Sequence, residues 1–300
     1  MNSTPTTPAK QWLIFGVWTL VSIIVFAKPV TALIQLANRD ESASHILLIP
    51  FISAWLLYSE RKEQSPASGR TLWPSVALFL PSVLIGIAVL TCNACAPKDR
   101  LTLYTLALVL LLGAGYVLAF GVDDAKRSWF GLAFLLFAVP LPDVALRKII
   151  YWLQVGSAAV AELFFNLSGA PVLREGFVFR LTKFSIEVAQ ECSGIRSSLA
   201  LLILAVLVTH FSFRPMWKKC VFVLAGLCMM LIKNGIRIAT LTLLANYVNP
   251  GFLEGRLHHQ GGVVFFLIGL GLLLPVYWLL LKGEVPGAVT GQATQEHTAS

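Results

Sequence analysis

The sequence predicts an all-α polytopic membrane protein: about eight transmembrane helices, an interfacial helix, and a short surface β-hairpin near the candidate site. Three observations carry this prediction. Of the 300 residues, 57% are hydrophobic and only 13% are charged, whereas a soluble domain has about 25% charged residues. Eight apolar runs approach the ~20 residues needed to cross a bilayer. One further segment alternates apolar and polar residues, as short strands do.

The same composition excludes several classes of protein. A soluble globular enzyme is excluded by the shortage of charge, and a disordered or collagen-like chain by the ordinary counts of 22 Gly and 15 Pro. The formal net charge is +8, but no block of five or more basic residues occurs. Spread-out Lys and Arg are typical of loops at an anionic membrane surface. Membrane lipids are therefore expected partners, and nucleic acid is not.

The predicted spans form one integral-membrane domain over residues 1–282, with a polar, disordered tail at 283–300. The first span is read as retained rather than as a cleaved signal peptide. Basic residues favour the loops on the side of the N-terminus, which indicates an inside N-terminus. No internal repeat of the transporter kind is present. The eight spans are Gln11–Ala27, Ser44–Tyr58, Leu72–Thr91, Leu101–Gly121, Ser128–Pro140, Ser193–His210, Lys218–Arg237 and Leu257–Leu281.

Between residues 141 and 191 the pattern changes. Lys148–Leu167 is apolar but carries Gln, Glu and Asn, which favours a helix in the membrane interface over a full span. Turn residues fill Gly169–Gly176. Phe177–Leu181 and Phe184–Val188 then alternate, as the two strands of a hairpin do. Because the unpaired backbone N–H and C=O groups of an open sheet edge cannot face lipid, this hairpin is placed at the membrane surface.

For four of the five cysteines, the sequence predicts a structural role or leaves the role open. Cys220 and Cys228 lie in an apolar run and are predicted to be small buried hydrophobes. Cys92 and Cys95 form a CxxC pair in a polar loop, which is consistent with a local disulfide, a metal half-site or neither. No second CxxC or His pair accompanies them, so zinc is disfavoured. No metal and no cofactor are predicted.

Three polar positions interrupt otherwise apolar sequence. Cys192 opens one predicted span, Arg237 closes the next, and His258, beside His259, opens the last. Counting crossings places all three on the same membrane face. A thiol, a guanidinium and an imidazole suit cysteine-dependent acyl transfer, which needs a thiolate, an acid or base, and a donor to the oxyanion. Each residue alone has a plainer interpretation: an inert thiol, a snorkelling Arg or a solvated His.

The motifs around these residues resemble those of the exosortase/archaeosortase family of membrane cysteine transpeptidases, over roughly residues 40–280. Glu191–Ser197 is similar to the family's nucleophile motif, Asn234–Ile238 to its arginine motif, and the His-containing stretch before Gly262 to its histidine motif. The resemblance implies Cys192 as nucleophile, Arg237 as oxyanion or carbonyl stabiliser and His258 as general acid/base. It leaves His259 as the alternative base, with Arg196, Glu191 and Asn234 in support.

The resemblance further implies an active site on the outer face of a bacterial cytoplasmic membrane. Its substrates would be exported proteins that end in a PEP-CTERM-like signal: a short motif, a transmembrane helix and a basic cluster. Water, an amine or a lipid remains open as the acyl acceptor, and the oligomeric state is open too. The alternative function is a transporter or channel with Arg237 and His258 in a polar pathway. A metal-dependent glycosyltransferase is disfavoured, because the acidic pair Asp123–Asp124 lies on the opposite predicted face.

Overall fold

The computed structural model describes residues 8–62, 72–92, 95–189, 194–253 and 262–282. These residues form helices joined by short connections, with one small antiparallel sheet. The helices are α1 (Pro8–Val25), α2 (Ala27–Arg39), α3 (Ile49–Lys62), α4 (Leu72–Thr91), α5 (Pro97–Phe120), α6 (Val122–Arg127), α7 (Trp129–Phe134), α8 (Asp143–Ser168), α9 (Ile195–Ser212), α10 (Met216–Tyr247) and α11 (Gly262–Leu281). The strands are β1 (Leu173–Glu175), β2 (Val178–Arg180) and β3 (Ser185–Glu187), and 3₁₀ turns cover Glu41–Leu47, Leu135–Ala138 and Pro250–Leu253.

Eight helical segments of the described residues are long and apolar enough to cross a membrane. They are α1, Ser42–Arg61 (a 3₁₀ turn continued by α3), α4, α5, α8, α9, α10 and α11. The predicted number of spans and the polytopic membrane class are confirmed. The chain is a multi-pass membrane protein.

Two of the predicted assignments differ from the observed helix lengths. The predicted span Ser128–Pro140 is only the six-residue helix α7 followed by a 3₁₀ turn. The predicted interfacial helix Lys148–Leu167 lies within α8, whose 26 residues extend for about 39 Å. The start of α8 lies beside the start of α5, where the Asp143 N–H donates to the Asp99 carboxylate at 3.1 Å. Its polar side chains have partners: the Gln154 amide donates to the Val188 carbonyl at 2.7 Å, and Glu162 pairs with Arg174 at 2.7 Å. Satisfied polar groups inside a span cost far less than exposed ones.

The chain divides into two compact units, residues 1–152 (unit 1) and 153–300 (unit 2), and the boundary falls within α8. In unit 1, aromatic side chains of α1 and α5 pack edge to face around the fully buried Tyr116. The Trp18 indole donates to the Leu111 carbonyl at 2.9 Å. Gly115 makes this contact possible, because a Cβ at that position would overlap the indole.

The two acidic residues of unit 1 considered above do not act as a pair. Asp124 is 2% exposed and lies 3.6 Å from the Arg61 guanidinium, which also stacks over the Phe120 ring and bonds to Gln11. Asp123 is exposed. Asp124 therefore neutralises a buried arginine, which is a structural role for this carboxylate.

The cysteine predictions had mixed outcomes. Cys92 and Cys95 form a disulfide between the end of α4 and the start of α5, so the first of the three alternatives holds. Cys220 and Cys228 are exposed on α10 instead of buried, so that prediction was wrong. An apolar run does not distinguish a helix face that contacts protein from one that contacts lipid, because both are apolar in a membrane protein.

In unit 2, helices α9, α10 and α11 share a core that includes Leu201, Phe222 and Leu273. The predicted hairpin is confirmed as β2 paired with β3, and β1 adds a third strand in the order β1-β2-β3. Phe179 of β2 is fully buried against Phe165 of α8, with ring centroids 5.1 Å apart. The sheet thereby covers the part of unit 2 that carries the candidate site.

Candidate active site

The middle of α10 buries a charged residue that the sequence motifs do not single out. Lys233 is 1% exposed, and its ammonium donates to the Ser197 hydroxyl of α9 at 2.6 Å. Its methylenes pack on Gly269 of α11, where a Cβ would come within 3.2 Å of the Lys233 Cδ. A charge inside a membrane span is costly and usually marks a functional position. Lys233 therefore joins the candidate site.

Asn234 extends the same cluster to a third helix. It is 1% exposed, and its amide nitrogen donates to the fully buried Ser157 hydroxyl of α8 at 3.0 Å. Gly235, the next residue, faces Val160 so closely that any side chain there would collide with it. Within unit 2, α8, α9 and α10 thus meet at one turn of α10, held by two side-chain hydrogen bonds.

The start of α9 is seated directly against this turn. Gly194, the N-cap of α9, has φ +67°, a left-handed conformation that favours glycine. A Cβ on Gly194 would lie 2.6 Å from the Asn234 Oδ1 and 3.3 Å from the Lys233 Nζ. The chain two residues after Cys192 is therefore held against the arginine motif, and this contact requires glycine both for space and for backbone conformation.

The strand side of the Cys192 segment is anchored as well. Val188, just after β3, donates its N–H to the Phe177 carbonyl at 2.9 Å and accepts the Gln154 amide at 2.7 Å. Val188 is 1% exposed. Cys192 and Glu191 themselves lie outside the described residues, between the fixed points Val188 and Gly194. Both flanks of the predicted nucleophile motif are thus held by specific contacts in unit 2.

The structure places the predicted Arg237 differently from the sequence. It was expected at the far end of a span, but α10 continues to Tyr247, so Arg237 lies one helical turn after Lys233 within the helix, where it is partly exposed. Hydropathy predicted that the span ends at the charged Arg237, whereas the helix α10 continues beyond this residue. Arg196 is exposed on the first turn of α9.

The predicted base is not part of the described structure. His258 and His259 lie outside the described residues, in the connection between the 3₁₀ turn at Pro250–Leu253 and α11. α11 itself contacts the site, since Gly269 packs on Lys233. The helix that follows the histidine pair is therefore part of the same cluster of helices.

Sequence reasoning passed over Lys233, although the signal was present. Lys233 follows an apolar run, as costly in a membrane as Arg237, and the two basic residues are four apart, which places them on one face of α10. The criterion that selected Arg237 would also have selected Lys233. The serine partners, Ser157 and Ser197, carry no comparable signal.

Eight spans, a short antiparallel sheet, and a buried basic cluster beside a cysteine motif define a polytopic membrane protein with a candidate acyl-transfer site. The sequence model of the transmembrane exosortase family matches residues 37–275. The chain belongs to this family, and the resemblance seen in the motifs is confirmed. Membership supports the role of a membrane transpeptidase or protease in general terms.

Comparison with curated proteins finds no match, and comparison with solved structures finds none either.

Proposed function

We propose that this protein is a cysteine protease or transpeptidase that removes C-terminal sorting signals from exported proteins. The observation that carries the proposal is the seating of Gly194, two residues after Cys192, against Lys233 and Asn234. Family membership supports the reaction class. The cluster supplies positive charge beside the nucleophile segment, as thiolate chemistry requires. The substrates end in a short motif, a transmembrane helix and a basic cluster.

In the proposed reaction the Cys192 thiolate attacks the scissile carbonyl and forms a tetrahedral oxyanion. Arg237 donates to that oxyanion. As the intermediate collapses, the C–N bond breaks, and His258 gives its proton to the leaving amine, which departs with the transmembrane tail. Water, an amine or a lipid hydroxyl then attacks the thioester, gives its proton back to His258, and releases the thiolate. His259 is the alternative source of the proton.

The proposed site faces outward. An inside N-terminus puts the start of α5 on the outer side of the membrane. Asp143, at the start of α8, bonds to Asp99 and pairs with Lys98 at the start of α5, so α8 also begins on the outer side. Residues 122–142 thus return the chain to the outer side, and with α8 along the interface Cys192 stays on that side. Lys126 and Arg127 then fall in an inner loop, as do Arg214 and Lys219, in keeping with the positive-inside rule. An outward site meets exported proteins after their translocation.

The function is tested by co-expressing the full chain with an exported reporter that carries a C-terminal tail of the stated form. Intact mass should show loss of the tail. Hydroxylamine added to active membranes should convert the reporter to its hydroxamate, because it attacks a thioester intermediate. If every such tail stays uncleaved while proteoliposomes carrying the chain conduct anions or protons, the protein is a transporter and the proposal fails.

Lys233 is a positioning residue in this scheme, because it holds Ser197 and adds charge beside the nucleophile segment. We expect Lys233→Met to shift the pH profile of cleavage upward by about one unit, which corresponds to about 1.4 kcal/mol of lost thiolate stabilisation. Methionine keeps most of the side-chain volume. Rates measured from pH 6 to 10 check this expectation.

The matched control is Lys218→Met. Lys218 is also buried in α10, but it donates to the Leu280 carbonyl at 2.8 Å, toward the other end of the helix. That variant should keep the wild-type pH profile even if the protein is less stable. An unshifted profile in Lys233→Met would mean that Lys233 only supports the fold.

A further inference from the structure

Unit 1 contains a long groove that takes no part in the proposed reaction. It opens between α1, α2, α4 and α5 and has a volume of about 1390 Å³. Its walls are mostly apolar along the helices and include Trp18, Val21, Phe79, Val83 and Ile87. A groove of this size and composition between membrane helices accommodates hydrocarbon chains.

Basic side chains gather at one end of this groove. Among the described residues, the lining includes Lys28, Arg39, Lys98 and Arg100 and no acidic residue. The Phe26 ring lies 6.4 Å from the Tyr104 ring, whereas Trp18 bonds to Leu111 further along α5. The end of α1 thus lies beside the start of α5. Because all four cations lie on α2 or at the start of α5, the groove is basic at one end and apolar along its length.

The two pairs of cations differ in their contacts with the protein and in their exposure. Lys98 is bridged to Asp40 at 3.1 Å and to Asp143 at 3.6 Å, and Arg100 donates to the Val89 carbonyl at 3.3 Å. Lys28 and Arg39 are exposed at the two ends of α2. With 13 residues, α2 is too short to cross a bilayer, so it suits the interface, where its charges reach lipid headgroups.

We propose that this groove binds a phospholipid with a net negative headgroup. The acyl chains lie along α4 and α5, and the anionic headgroup lies along α2, in the positive field of Lys28 and Arg39 at its two ends, about 16 Å apart. An amphiphile matches both the apolar walls and the basic end, whereas a free anion would leave the walls uncovered. A zwitterionic lipid would fill the walls but gain less from the two cations.

Gly86 is a position at which a larger side chain would block the groove. Gly86 of α4 lines it, and a Cβ added there meets no atom within 4 Å. Gly86→Phe should therefore fill space that the lipid occupies without displacing protein atoms. Gly16 of α1 has equally open surroundings but does not line the groove, so Gly16→Phe is the matched control.

The test uses the full chain purified in detergent with equal amounts of dioleoyl phosphatidylglycerol and dioleoyl phosphatidylcholine, and native mass spectrometry counts the retained lipids. Wild type should prefer phosphatidylglycerol. Lys28→Gln with Arg39→Gln should lower that preference by about 25-fold, or about fivefold per charge. Lys126→Gln with Arg127→Gln removes two exposed cations outside the groove and should leave the preference unchanged.

Gly86→Phe should lower retention of both lipids at least about tenfold, while Gly16→Phe should keep it; Gly86→Leu replaces the Phe variant if the latter does not fold. An unchanged lipid ratio in the Lys28/Arg39 variant would overturn the headgroup assignment. Unchanged retention in a folded Gly86 variant would overturn the groove as the binding site.

Discussion

Replacing Cys192 by serine should reduce reporter cleavage by on the order of a thousandfold or more and abolish the hydroxylamine-trapped product. Serine keeps the size and position of the side chain, but its hydroxyl is not ionised near neutral pH and needs a base tuned to it. The positive charge of Lys233, against which Gly194 packs, would favour a thiolate and would not activate a neutral hydroxyl. Loss of a covalent nucleophile removes most of an enzyme's rate.

Two other thiols of the chain serve as controls. Cys220 and Cys228 are exposed on α10, away from Lys233, so Cys220→Ser and Cys228→Ser should cleave at the wild-type rate. Each variant is compared at equal amounts of folded protein, measured by its elution as a single species in detergent. Cleavage by Cys192→Ser within tenfold of wild type would exclude Cys192 as the nucleophile.

The membrane class and the span count were accessible from sequence because about 20 apolar residues are needed to cross a bilayer. The polar residues of α8 show the limit of hydropathy. Gln154 and Glu162 made this segment look interfacial, yet both are satisfied within unit 2, by Val188 and Arg174. Their partners lie 34 and 12 residues away along the chain, so no local window could detect them.

The sequence motifs indicated the candidate site, but they did not indicate how its helices pack. The Cys192, Arg237 and His258 motifs stood out because polar residues are rare in this chain. Gly194 and Ser197 became meaningful only once α9 was seen against Lys233 and Asn234. The third strand, β1, was missed because its three residues lie within a turn-rich stretch between Gly169 and Gly176, both with positive φ.

Arg237→Lys should lower kcat for cleavage by about 100-fold or more and leave KM nearly unchanged. Lysine keeps the charge, so the electrostatic cost of membrane insertion stays similar, but it loses the planar fork of donors that can hold an oxyanion in a fixed geometry. Removal of one oxyanion donor costs about 10²–10³ in kcat, because the interaction is made mainly in the transition state. A residue that merely supported the helix would change the unfolding temperature instead of kcat.

Arg214→Lys is the matched control for this change. Arg214 lies in the short connection between α9 and α10, at the opposite end of both helices from Gly194 and Arg237. The same chemical substitution there should leave kcat and KM at wild-type values. If Arg237→Lys retained more than half of the wild-type kcat, charge alone would account for Arg237, and the oxyanion would need another donor. The buried ammonium of Lys233, one turn earlier on α10, would then be the next candidate.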